Sequence, residues 1–140
     1  MKVLVIDAQG GGIGRQVISA IRQSDVQSEI IAVGTNTTAT SAMLKAGADH
    51  GATGENAVVV GARKADVIIG PIGIVVADSM FGEITAAMAR AVGQSNAKRI
   101  LIPVSHCDNV IVGVRGLSMK GLVDEVLTEL ARGNAGEQRI

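Results

Sequence analysis

Apolar residues along the 140-residue chain fall into two alternating kinds of run. Short unbroken stretches, Val3 to Ile6, Ile30 to Val33, Val67 to Ile69 and Ile100 to Ile102, have strand length and no polar alternation. That is the pattern of strands covered on both faces. Between them, apolar residues recur at helical spacing. Ile13, Val17 and Ile21 form one stripe, Ala39, Ala42, Met43 and Ala46 a second, and Met88, Ala91 and Val92 a third after Thr85, a suitable N-cap. Leu122, Val126, Leu127 and Leu130 mark a last helix over 117–131. The stretch 48–56 reads as a polar loop with two glycines, 57–62 as a short helix or extended piece, and 74–80 as a short helix. Asn109 to Val114 is apolar enough for a fifth strand. After a turn as short as Ser105 to Asp108 it has to run antiparallel to the fourth, because a parallel return needs a crossover.

Strands alternating with helices predict a three-layer, Rossmann-like α/β fold with a mostly parallel five-stranded sheet and right-handed crossovers. The order 2-1-3-4-5 is favoured over a 3-2-1 arrangement because it sets two glycine-rich turns beside one crevice at a topological switch point. One domain over 1–132 and a polar tail over 133–140 are expected from the length.

The first strand runs into Asp7-Ala8-Gln9-Gly10-Gly11-Gly12-Ile13-Gly14 before the first helix. Strand, glycine turn and helix in that order aim bare amides at the ligand edge of a parallel sheet, where phosphate is the usual guest. The spacing is not G-x-G-x-x-G, since the third glycine would fall at Arg15. It nearly fits the short-chain dehydrogenase G-x-x-x-G-x-G form with Ala8 for the first glycine, yet the chain has no Tyr to act as that chemistry's acid. No Gly-Lys-Ser/Thr follows, which excludes a P-loop. Where a dinucleotide site usually has an acid for the ribose diol, the second strand ends in Gly34-Thr35-Asn36.

The expected binding residues are Gln9, Gly10, Gly11, Gly12, Ile13 and Gly14, with Thr35, Asn36, Thr53 and Asn56, and Gly70, Pro71 and Gly73 from the second turn. The expected ligand is NAD(P) or another nucleotide. A packing-only role for the glycines stands against this. Asp7 and Glu55 are the weak candidates for proton or nucleophilic work in a small phosphoryl- or acyl-transfer enzyme; capping of Asp7 by the following amides is the rival role. His50, His106 and Cys107 do not have metal-ligand spacing, so no metal is expected.

Composition narrows the partners. Lys plus Arg and Asp plus Glu are 13 each, and Phe81 is the one aromatic residue, so neither a basic field nor a stacking platform recruits nucleic acid. The longest apolar stretch, 67–77, is interrupted by Gly70, Pro71 and Gly73 and is too short for a bilayer. One cysteine and no leader-like start make the cytoplasm the expected compartment. A mean hydropathy of +0.36 is high for a small domain. A homo-oligomer would hide the surplus apolar surface, although Ala and Gly also inflate the figure.

The segments 7–14, 34–36, 39–48, 51–57 and 70–74 together resemble an uncharacterised bacterial family of short Rossmann-like proteins, a domain of unknown function. The resemblance extends to about Val114 and implies a cytoplasmic Rossmann-like domain. It implies no activity, so a sensor or accessory subunit, a small enzyme and a ligand-free structural subunit all stay open.

Overall fold

A computed structural model of the chain describes residues 1–104, 109–114 and 116–132. Five strands, β1 (Lys2–Asp7), β2 (Glu29–Gly34), β3 (His50–Thr53), β4 (Val67–Pro71) and β5 (Lys98–Ile102), form one sheet in the order 3-2-1-4-5. Every pairing is parallel. The crossovers are α1 (Gly12–Gln23), α2 (Thr37–Lys45), α3 (Glu55–Lys64) and α4 (Ala86–Gln94), and α5 (Met119–Ala131) follows β5.

Alternation along β1 builds both layers. Val3 and Val5 point to the side where Val17, Ile18 and Ile21 of α1, Met43 of α2, and Val123, Val126 and Leu130 of α5 pack. Leu4 and Ile6 face Val58 and Ala62 of α3 and Met88 and Val92 of α4. The inner side chains of β1 are thus covered by helix stripes on both faces, which explains the unbroken apolar run there.

The structure corrects the expected topology in two places. The first four expected strands keep their expected neighbours, as β2-β1-β4-β5, but the order becomes 3-2-1-4-5 because 50–53, read as loop, is a further strand on the outer side of β2. All four of its residues are exposed, so it carries no burial pattern. The expected antiparallel strand at 109–114 is a turn, closed by the Val114 amide on the Ile111 carbonyl at 3.3 Å with Gly113 at φ +87°. Val110 and Val112 are 92% and 94% exposed, so no layer covers that run. The short helix expected over 74–80 is a single 3-10 turn at Ile72–Val75 followed by tight turns. The expected tail 133–140 lies outside the described residues.

What holds the patternless β3 in place is a cluster at its entry. Arg22 at the end of α1 donates through Nε to the Gly47 carbonyl at 2.7 Å and through Nη2 to Asp49 at 2.6 Å. The same Asp49 carboxylate accepts the Ile30 amide of β2 at 2.8 Å. The Ile30 amide and the Arg22 guanidinium hold the Asp49 carboxyl below its ordinary range. Arg22→Ala should cost about 1 kcal/mol, since these bonds are partly solvated. Urea titration should read that loss, with faster hydrogen exchange confined to β3; equal exchange in the two proteins would refute this account of the edge.

Candidate functional site

The first turn after β1 and the turn after β4 meet at one crevice, above the boundary where the sheet's connections reverse direction. Its volume is about 230 Å³. The loop residues Gln9, Gly10, Gly11, Gly12 and Ile13 line it together with Asp7, Ala8, Pro71, Met80 and Val104. A larger groove of about 530 Å³ runs between α3 and α4, but its lining of alanines with Arg63 and Arg90 lies away from the carboxyl ends of the strands and offers no convergent amides.

The glycines of the loop divide into two kinds. Gly11 has φ +72°, and a Cβ there would sit 2.8 Å from the Ala39 carbonyl oxygen. At Gly14 a Cβ would strike Met43 and the Cβ of Asp7. Both are demanded by packing of α1 against α2 and β1. At Gly10 and Gly12 a Cβ would meet nothing within 4 Å, and neither has a left-handed φ. Internal structure gives no reason for glycine at these two positions.

The amides divide in the same way. Asp7, 4% exposed, accepts the Gly14 amide at 2.7 Å on one oxygen and the Ala8 amide at 2.8 Å on the other. Burial pushes the Asp7 carboxyl up; the Gly14, Ala8 and Ile13 amides pull it down without cancelling that, and the nearby Glu83 charge raises it further. The acceptor at the N-terminus of α1 is therefore the chain's own Asp7, and the Gly14 amide is spent on it. The Gly11 amide closes a turn on Ala8 at 3.0 Å. Among the described residues, no acceptor takes the Gly10 or Gly12 amide.

Glu83, which nothing in the sequence pattern singled out, joins this loop to the end of β2. Its Oε1 accepts the Gln9 amide at 3.0 Å, the Thr35 hydroxyl at 2.7 Å and the Asn36 side-chain amide at 2.8 Å. Asn36 also donates to the Gln9 carbonyl at 3.0 Å, so the Gln9 peptide is clamped at both ends in a left-handed conformation, φ 53°. Partial burial raises the Glu83 carboxyl, but the Thr35, Gln9 and Asn36 bonds together outweigh it and hold the group below its ordinary value, as carboxylate.

The other expected residues are placed elsewhere. Thr53 shares a 2.8 Å hydrogen bond with the Thr40 hydroxyl at the end of β3. Asn56 is exposed in the first turn of α3. Glu55 accepts the hydroxyl of Thr85, the N-cap of α4, at 2.6 Å. Gly70 and Gly73 serve packing, since Cβ atoms there would sit 2.6 Å from the Ile6 carbonyl oxygen and 2.7 Å from Met80. His50 Nε2 lies 3.6 Å from Glu29 on the sheet edge, and His106 and Cys107 fall outside the described residues. Among the described residues no three metal-ligating side chains cluster, and no described helix is long and apolar enough to cross a membrane.

Comparison with solved structures finds a dodecameric FMN-dependent UbiX-like decarboxylase from Escherichia coli O157:H7 at TM-score 0.58 and 16% identity, covering 100% of this chain and 99% of that one. At that identity the likeness is one of fold. No curated protein matches the sequence significantly. The profile of a family described as a domain of unknown function, DUF3842, matches residues 2–134.

Proposed function

The chain belongs to the DUF3842 family, a domain of unknown function, and on that premise we propose that it is a nucleotide-binding protein that holds phosphate against Gly10 and Gly12. The observation that carries the reading is the open space over those two glycines. Packing accounts for Gly11 and Gly14 and leaves Gly10 and Gly12 unexplained; close approach of a ligand to bare backbone accounts for them. Their two amides have no acceptor among the described residues, and the 230 Å³ crevice they border sits at the switch point where parallel α/β sheets bind. That volume suits a phosphate and its adjoining sugar.

FMN joins NAD(P) as a ligand candidate because the solved neighbour of like fold is FMN-dependent, and the dodecameric state of that neighbour makes a homo-oligomer worth testing by light scattering. The geometry lends the enzyme reading little. Asp7 is committed to backbone amides and Glu55 to a helix cap, so neither is placed for transfer chemistry.

Thermal denaturation with FMN, NAD, NADP, ADP and acetyl-CoA at millimolar concentration tests the proposal. A ligand present at about a hundred times its Kd should add about 2.7 kcal/mol, a rise of several degrees in Tm. The double variant Gly10→Ala, Gly12→Ala should fold normally and lose that rise. Absence of stabilisation by all five, or full retention in the double variant, would defeat the reading.

A further inference from the structure

We infer that Glu83 is the acceptor for a vicinal diol of the bound ligand, doing from the β4–α4 connection what the missing acid at the end of β2 would otherwise do. This rests on the phosphate site proposed above.

Three observations support it. First, β2 is followed by Thr35 and Asn36, which cannot present an anionic acceptor, and both donate to Glu83, so the carboxylate sits at that strand end in space. Second, all three hydrogen bonds fall on Oε1; among the described residues Oε2 takes none, although a partly buried carboxylate has lone pairs to satisfy on both oxygens. Third, Glu83 bonds the Gln9 amide, one residue before the free Gly10 amide, which puts the carboxylate one sugar's reach from the phosphate position.

The backbone here is built for precision. Ile84 is fully buried and its carbonyl takes the Asp78 amide at 2.7 Å, while Asp78, Met80 and Phe81 adopt left-handed φ of 66°, 55° and 57°. Such strain persists only where surrounding structure fixes it, and it clusters at ligand sites. Ribose of a nucleotide and the ribityl chain of FMN both carry the required chemistry.

Glu83→Gln isolates the role, because its amide oxygen can keep the three donors of Oε1 while an NH2 group replaces the acceptor Oε2. The binding of ADP and 2′-deoxy-ADP, and of FMN and a phosphoalkyl flavin lacking hydroxyls, should be measured by calorimetry on wild type and Glu83→Gln. In wild type the hydroxylated member of one pair should bind about tenfold more tightly than its deoxy partner. Glu83→Gln should erase that preference with the deoxy compounds unchanged, which also distinguishes lost recognition from a misfolded variant. Equal binding within both pairs in wild type would overturn the diol role and leave the phosphate site standing; no binding by any of the four would overturn the diol role, and the phosphate site falls with it when NAD, NADP and acetyl-CoA also fail to stabilise the protein.

Discussion

Replacing Asp7 by Ala is expected to destabilise the protein by about 3 kcal/mol, because it strands the buried amides of Ala8 and Gly14. Asp7→Asn should cost less, about 1–2 kcal/mol, since one oxygen still accepts while its NH2 group faces a second donor. Urea denaturation reads both. The pH dependence has a definite sign. Burial raises the Asp7 carboxyl above its unfolded value, so its contribution is complete below the unfolded pKa and declines as pH rises through the folded one. The stability gap between wild type and Asp7→Asn should therefore be wider at pH 4 than at pH 7. A gap that widens with rising pH would mean the amides outweigh burial, and the described balance would be wrong.

Gly70→Ala should be at least as damaging, about 3 kcal/mol or more. The added Cβ would lie 2.6 Å from the Ile6 carbonyl oxygen and 2.9 Å from Ile74, so β1 and β4 would have to part where the crevice begins. Neither obstacle is a flexible side-chain tip in open space: one is backbone and the other is a buried isoleucine. The contrast with Gly12→Ala, where the same methyl group enters empty space, makes the pair informative. If chemical denaturation showed the two variants equally stable, the division of glycines into packing and ligand-facing kinds would fail.

Much of the architecture was legible because burial on both faces leaves a strong sequence trace. The runs that became β1, β2, β4 and β5 contain residues almost wholly excluded from water, and Thr85 caps α4 through its hydroxyl on the Met88 amide at 3.1 Å as its position predicts. β3 left no trace because strand formation there depends on pairing with β2 and on the Arg22–Asp49 cluster rather than on side chains of its own. The run 109–114 misled in the opposite sense: apolar composition alone does not make a strand when no helix or neighbour covers it.

The candidate site divides in the same manner. The glycine loop was visible as a local cluster, whereas the fate of its amides depended on which acceptors the fold delivers to them. Asp7 competes for the helix N-terminus from one strand end away, a role its position allowed for. Glu83 could not be read from spacing, since it meets Gln9 across 74 residues of sequence. The one available signal was a deficit, the absence of an acid after β2, which asks which other element supplies a carboxylate.

The outermost strand has a consequence for solubility in crowded conditions. A free row of peptide groups on a sheet margin invites another chain to dock and propagate, and among the described residues β3 presents such a row. It is only four residues long, interrupted by Gly51, with His50 and Glu29 holding ionisable groups beside it. A partner strand recruited there would gain few bonds and no apolar grip, so this margin resists fibril growth by brevity rather than by a covering element.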